Sequence, residues 1–270
     1  MSKNLIPAQR RKLILDYLSI HTIASISELS EMVETSEATV RRDLEQLENE
    51  GFLERTSGGA IHQTRMNLES AYDTRAISYP DEKQQIGARA AAMIEPGDVI
   101  FVNSGSTTTQ ILHHIPKEAH VTVITNNMAA ASELEKDVNY EILLLGGNLN
   151  NKVNAVTGQF ALDNISKVYA DKLFFGVDGI SPRFGCTVPT NSEAEIIRMM
   201  IARTRGLVAV VTDHSKWGVV SNFEVASLDQ IHTLITDDGI DQDAYGQLVS
   251  QSVDIMITHP NNIQKGRSDS

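Results

Sequence analysis

The chain has 270 residues with 23 Lys+Arg against 35 Asp+Glu, a formal net charge of −12, an apolar fraction of 41% and one cysteine. That length fits one large domain or two smaller ones, and the apolar fraction, with 17 Gly and 7 Pro, excludes a largely disordered or collagen-like chain. A lone thiol, Cys186, excludes an internal disulfide framework, and apolar runs such as 207–211 fall far short of the ~18 to 20 residues that span a bilayer.

At the amino end Arg10, Arg11 and Lys12 precede only Leu13, Ile14 and Leu15 before Asp16 interrupts, too short for the apolar centre of a signal peptide. The cytoplasm is therefore the expected compartment, with no membrane partner. Leu13, Ile14, Tyr17 and Leu18 recur at helical spacing and predict a first amphipathic helix over 7–20. Ile23 and Ile26 lead to Ser27, which is placed to cap a second, short helix carrying Leu29, Met32 and Val33 on one face. Thr35 or Ser36 caps a third. There Val40, Leu44 and Leu47 stand at i, i+4 and i+7 and must face inward, while Gly51 is placed to end the helix. At 100° per residue Arg42 lies about 200° from Val40, so it projects outward with Ala38, Thr39, Arg41 and Glu45 around it. Residues 52–56 and 60–62 flank Ser57, Gly58 and Gly59 and predict a glycine-turned hairpin.

Three helices and a hairpin outline a winged helix-turn-helix over 1–62. A helix fits the major groove, Arg reads guanine edges bidentately, capping hydroxyls and backbone amides meet phosphate, and the wing rests on phosphate through Arg55. The candidate DNA-contacting residues are Ser36, Ala38, Thr39, Arg41, Arg42 and Arg55. Overall acidity counts against nucleic acid, since Lys and Arg supply most non-specific DNA affinity. Residues 1–65, however, hold 8 Lys+Arg and 10 Asp+Glu, a net −2 that leaves −10 to the rest, so a small local patch must grip double-stranded DNA. Solvated surface arginines, or a dimerisation module, are the other readings of the same residues. The stretch from Ser27-Glu28-Leu29-Ser30 through Ser36-Glu37-Ala38-Thr39-Val40-Arg41-Arg42-Asp43-Leu44-Glu45-Gln46-Leu47-Glu48 to Arg55-Thr56-Ser57-Gly58-Gly59-Ala60 resembles the DNA-binding signature of the DeoR/GlpR family of bacterial sugar-metabolism repressors.

Residues 63–80 show little periodicity and read as a linker. From 81 to 260 helix and strand alternate: residues 82–94 are helical, 95–98 turn, and 99–102 form a buried strand. Short apolar runs follow at 121–125, 141–145, 173–177, 207–212, 232–236 and 255–258. Repeated βα units imply a mostly parallel sheet covered on both faces, an α/β domain whose ligands gather at the carboxyl ends of strands. There, strand 99–102 runs into Asn103-Ser104-Gly105-Ser106-Thr107-Thr108-Thr109 and then the helical Ile111-Leu112. Gly105 permits a tight turn, successive amides point to one spot, hydroxyls add donors, and a helix N-terminus favours an anion such as phosphate. A capped turn whose Ser and Thr merely satisfy helix amides is the other reading. Further strand ends carry Asn126-Asn127, Gly146-Gly147, Asp178-Gly179 and Asp213-His214-Ser215-Lys216. Lys216 can neutralise a phosphate, Asp178 can accept sugar hydroxyls, and Glu193 and Glu195 open another helix. His113, His114 and His120 lack Cys or carboxylate partners at ligand spacing, so neither metal nor cofactor is expected. Cys186 reads as a neutral or buried thiol, and residues 261–270 as a disordered tail.

The same motifs are similar to the sensor domain of DeoR-type regulators, which is related in fold to ribose-5-phosphate isomerase. The resemblance implies that Ser104, Gly105, Ser106, Thr107 and Thr108 hold a phosphate with Lys216, and that Asp178, Glu193 and Glu195 face the sugar, with Asn126 and Gly147 completing the effector site. Asn103 stands where many members carry Asp. The related isomerases use a second Asp and a glycine-loop lysine, whereas here Ser181 occupies the Asp position and 182–185 offer no lysine. The expectation is therefore a homo-oligomeric repressor of a carbohydrate-utilisation operon, released by a phosphorylated sugar and not an enzyme. A sugar-phosphate isomerase with an appended DNA-binding domain is the alternative.

Overall fold

The computed structural model describes residues 5–21, 23–49, 52–55, 58–62, 64–65, 71–133, 140–240 and 242–259. The first helix, α1 (Pro7–His21), opens on proline, whose missing N–H is harmless there, and buries Ile14 and Leu18 while Leu13 stays exposed. A strand absent from the expected pattern follows, β1 (Ile23–Ser25). Helix α2 (Ile26–Met32) is capped by Ser25 and not by Ser27: Ser25 Oγ accepts the Glu28 N–H at 3.2 Å, and Glu28 Oε2 accepts the Ser25 N–H at 2.9 Å. The physical reason is that Ile26 is itself buried and belongs to the first turn, so the cap must precede it. Ser25's N–H and hydroxyl hold the Glu28 carboxyl below its usual range. In α3 (Glu37–Asn49), Ser36 is the capping residue of the two candidates, its Oγ accepting the Thr39 N–H at 3.3 Å. Val40, Leu44 and Leu47 are buried as their spacing requires.

Strands β2 (Leu53–Arg55) and β3 (Gly59–His62) form the expected hairpin, and β1 joins it to give the order β1-β3-β2. That addition explains Gly59, because a Cβ there would lie 2.1 Å from Ala24 O on the crossing strand. Gly51 and Ser57, expected as helix stop and turn residue, lie outside the described residues, as does the tail beyond 259.

The segment read as a linker carries structure. Strand β4 (Thr64–Arg65) leads to α4 (Tyr72–Ala76), where the Tyr72 N–H donates to Lys152 O at 2.9 Å. Beyond it come α5 (Pro80–Ala91), β5 (Val99–Val102), α6 (Ser106–His114), β6 (Thr122–Thr125), α7 (Met128–Glu133) and β7 (Glu141–Leu144). The hairpin β8 (Asn148–Asn150) and β9 (Ala155–Thr157) precedes α8 (Gln159–Ile165) and β10 (Ala170–Phe175). After β11 (Gly179–Ser181), β12 (Gly185–Val188) and α9 (Asn191–Ala202) comes β13 (Thr204–Val211). The chain closes with β14 (Val219–Val220), β15 (Phe223–Ala226), β16 (Thr233–Asp237), α10 (Gln242–Ser250) and β17 (Asp254–Thr258).

Among the described residues, the seven strands expected from the apolar runs form one wholly parallel sheet in the order β17-β16-β13-β10-β5-β6-β7. Consecutive side chains point to opposite faces, so Ile100, Val102 and Phe174 pack with Ile86 of α5 and Ile111 of α6, while Phe101 and Phe175 pack with Ile165 of α8 and Met200 of α9. Each such side chain, buried fully, contributes about 1.5–3 kcal/mol. A separate cluster built on Ile14, Leu18, Leu29, Val40, Leu44 and Leu53 holds the amino-terminal module together.

Candidate functional site

On α3 the outward face presents Ala38, Arg41 and Arg42, all exposed, with Thr39 half-buried beside them. Arg41 pairs with Glu37 one turn back at 3.4 Å, whereas the Arg42 guanidinium makes no ion pair or hydrogen bond among the described residues. The helix is fixed from behind by a buried pair the sequence did not single out. Arg10 Nε and Nη2 of α1 donate to the two carboxylate oxygens of Asp43 at 2.5 and 3.2 Å, with side chains only 12% and 6% exposed. In the wing, Arg55 is held by Glu48 of α3, whose Oε1 accepts the Arg55 N–H and whose Oε2 accepts Nε, each at 3.0 Å. Ser36 and Thr39 share a hydroxyl contact of 2.9 Å at the helix start.

The second site is a cavity at the carboxyl ends of β5, β10 and β13. Helix α6 begins at its wall without a side-chain cap. Thr109 N–H donates to Gly105 O at 3.0 Å, but the N–H groups of Gly105, Ser106, Thr107 and Thr108 have no acceptor among the described residues. Four donors without acceptors among the described residues thus stand at the positive end of the helix. The hydroxyls divide their work. Those of Ser106 and Thr107 have no partner among the described residues, whereas Thr108 Oγ1 turns inward to Asn103 O at 2.8 Å and Gly105 O at 3.0 Å. Thr108 therefore contributes its amide to the cavity and not its hydroxyl. Asn126 braces the loop: its Oδ1 accepts the Ser104 N–H at 2.8 Å and its Nδ2 donates to Val156 O at 3.0 Å. Asn103 clamps the ends of β5 and β10 together, exchanging hydrogen bonds of 2.9 and 3.1 Å with the backbone of Gly176. Gly105 has φ 163°, extended backbone that any residue adopts, so no special turn demands glycine; a Cβ would instead press on Thr108 Oγ1 at 3.1 Å.

Charge lines the remaining walls. Lys216 is half-buried, and its ammonium has no hydrogen-bond or ion-pair partner among the described residues. Asp178 faces Arg75 of α4 across 3.5 Å. Lys83 of α5 is almost fully buried: its Nζ donates to Arg75 O at 2.5 Å and to Ser78 O, and lies 3.8 Å from Asp213 Oδ2. Desolvation lowers the Lys83 ammonium pKa, against the pull of Asp213. Asp213 Oδ1 accepts the Ser215 N–H at 3.1 Å and the Ser215 hydroxyl, shaping the loop that carries Lys216. Behind that loop His214 Nδ1 meets Asp237 Oδ1 at 2.6 Å, and this hydrogen bond holds the imidazole pKa above its ordinary value. Glu193, buried at the start of α9, accepts from Thr190 Oγ1 at 2.9 Å and lines the cavity.

The fold thus brings Ser104 to Thr108, Asn126, Asp178, Glu193 and Lys216 to one cavity. Two expected effector residues are not brought there. Gly147 packs on the neighbouring hairpin, at φ 153° with a notional Cβ 2.5 Å from Thr157 O, so its role is to let two strands approach. Glu195 lies two residues beyond Glu193 on α9 and turns to solvent, accepting from Asn191 Nδ2 at 2.9 Å. The residues that sequence reasoning missed, Arg75 and Lys83, come from the linker and the helix after it; neither sits in a motif or at a strand end, so no local signal marked them.

Residues 10–65 match the DeoR-like helix-turn-helix domain, and residues 78–238 match the DeoR C-terminal sensor domain. The HTH-type transcriptional regulator GlpR of Haloferax volcanii is 32% identical over 93% of this chain and 98% of its own. The HTH-type transcriptional repressor GlcR of Bacillus subtilis is 32% identical over 93% of this chain and 96% of its own. Among solved structures, a ribose 5-phosphate isomerase A from Methanocaldococcus jannaschii aligns with a TM-score of 0.38 and 16% identity, over 52% of this chain and 55% of its own, a likeness that assigns no function.

Proposed function

Because this chain belongs to the DeoR family of DNA-binding transcriptional regulators, we propose that it is a cytoplasmic repressor of a carbohydrate-utilisation operon, released from its operator by a phosphorylated sugar in the sensor cavity. It is a regulator and not an enzyme, as its relatives are. Ser181, standing where the isomerases would need a second Asp, is fully buried and accepts the Phe184 N–H at 3.1 Å, so it places no carboxylate beside Asp178. The division into a DNA-binding module of residues 1–62, a linker of 63–80 and a sensor of 81–260 is part of the same reading.

The observation that carries the effector assignment is the row of N–H groups from Gly105 to Thr108 in the same cavity as Lys216, all without partners among the described residues. A phosphate there would take several charge-assisted hydrogen bonds at once and sit on the positive end of α6. The carboxylates of Asp178 and Glu193 suit a carbohydrate, whose hydroxyls donate to them. On DNA, Arg42 reads a base edge, Ser36, Ala38, Thr39 and Arg41 pack the helix start against the backbone, and Arg55 reaches phosphate by giving up Glu48. An exposed pair of that kind is worth only about 0.2–1 kcal/mol. A single module covers modest DNA surface, so two or more copies of the chain read repeated half-sites. A coupling of about 1–3 kcal/mol between cavity and operator suffices for induction.

The test is a thermal-shift screen against phosphorylated sugars paired with operator mobility shifts. A true effector raises the melting temperature by mass action and releases DNA. The double variant Lys216→Ala/Thr107→Ala keeps operator binding and loses both responses; preserved release in that variant refutes the cavity as the effector site.

A further inference from the structure

Arg75 is set apart by what its guanidinium lacks. The side chain is 15% exposed, and among the described residues its buried Nε has no partner and its one ionic contact is the 3.5 Å approach to Asp178. None of its guanidinium N–H groups makes a hydrogen bond among the described residues. A buried guanidinium left with unfilled donors is costly, and native folds rarely leave one so unless something else supplies acceptors. The open side of this group is the sensor cavity, whose wall Arg75 forms together with Thr74, Ser78 and Tyr79.

Placement narrows what those acceptors are. Asp178 lies three residues past the end of β10, the strand next to β5, and β5 leads into the N–H row at Gly105 to Thr108. Neighbouring strands lie about 4.8 Å apart, the reach of a few carbon–carbon bonds. A carbon chain anchored by its phosphate on the N–H row therefore carries its hydroxyls past Arg75 and Asp178. Charge argues against a second anionic group on the ligand. In the cavity Arg75, Lys83 and Lys216 are matched by Asp178, Glu193 and Asp213, and the phosphate already adds negative charge. A hydroxyl, by contrast, can accept from Arg75 and donate to Asp178 together.

Resting on the phosphorylated-sugar reading above, we propose that Arg75 is an effector-binding residue that donates hydrogen bonds to the sugar hydroxyls. The segment leaving the DNA-binding module is thereby a wall of the ligand site. That segment is tied to the cavity at three further points: β4 pairs with β14 just after Lys216, Tyr72 OH donates to Thr109 Oγ1 at 3.0 Å, and Lys83 holds the carbonyls of residues 75 and 78. Ligand capture by Arg75 acts on the chain that leads to the operator-binding helices.

The experiment is calorimetric titration of the full chain with inorganic phosphate, ribose 5-phosphate, glucose 6-phosphate and fructose 1-phosphate. The unmodified protein binds at least one sugar phosphate more tightly than inorganic phosphate. Arg75→Gln retains the affinity for inorganic phosphate and weakens that sugar phosphate by roughly tenfold to a hundredfold, the value of one or two hydrogen bonds to a charged group. Arg75→Lys recovers part of the loss and serves in place of the Gln variant should that variant melt early. A variant that binds the sugar phosphate as the parent does, or loses both ligands equally, overturns the assignment, as does a parent showing no preference for sugar phosphate over phosphate. A parent that binds neither phosphate nor sugar phosphate refutes the phosphate cradle itself.

Discussion

Substituting Asp43→Asn keeps the shape of the side chain and removes its charge, which isolates what holds the reading helix in place. In the parent, Arg10 and Asp43 face each other through two hydrogen bonds with side chains 12% and 6% exposed, so neither charge is solvated by water. Removing one partner of such a pair leaves the other buried and uncompensated, a loss of about 3–5 kcal/mol. A module of this size commands roughly 5–15 kcal/mol in all, and each kcal/mol moves its midpoint by about 4–8 °C. Asp43→Asn should therefore lower the melting of the amino-terminal module by at least ~12 °C. The assay is hydrogen exchange of the α1 and α3 amides in the full chain, read beside operator mobility shifts across temperature. Arg10→Met/Asp43→Leu should recover most of the loss, because an apolar pair needs no desolvation. If the single variant loses less than about 1 kcal/mol, the value of an exposed pair, the claim that this contact positions α3 fails.

Two further outcomes follow from the same geometry. Arg42→Ala removes an exposed guanidinium that has no partner among the described residues and should weaken specific operator binding by about 1–3 kcal/mol while leaving sugar-phosphate affinity alone; unchanged affinity in a mobility-shift titration removes Arg42 from the base-reading role. The His214–Asp237 pair makes stability of the sensor depend on pH. The hydrogen bond to Asp237 raises the His214 pKa above its ordinary 6.5, so its stabilisation is fully present below pH 6.5 and fades as pH rises through the raised folded value. Burial pushes Asp237 up, but the hydrogen bonds from His214 and Gly239 outweigh it and lower its pKa below 3.8, so its contribution is lost only as pH falls through that lowered value. The gap in melting temperature between the parent and His214→Gln should be widest between these limits and shrink in alkali. A gap that stays constant from about pH 5 to 9 contradicts the pairing.

The helical triple, the hairpin and the seven parallel strands were legible because each is written in a local pattern. Val40, Leu44 and Leu47 announce an inward stripe at helical period, and runs such as 99–102 and 207–211 are continuous because a parallel strand is covered on both faces. The row from Ser104 to Thr108 was legible for a similar reason, since a strand running straight into hydroxyls, glycine and a helix places donors together within a few residues. Where the reading went astray, burial against another element decided, except at Glu195, whose place two residues past Glu193 already turns it to the other side of α9. Ser25 caps α2 because Ile26 must be buried, and Gly59 is glycine because Ala24 crosses it. Gly147 and Glu195, plausible by position, are turned away by the hairpin and by the far side of α9.

By itself the order of amino acids determined the two modules, the parallel sheet and the strand ends that line the cavity, because periodicity, caps and turns act over a few residues. Only the tertiary structure decided which side chains share a cavity or a lock. Arg10 meets Asp43 across 33 positions and Arg75 meets Asp178 across about a hundred, and contacts so far apart arise from packing, which no local pattern encodes.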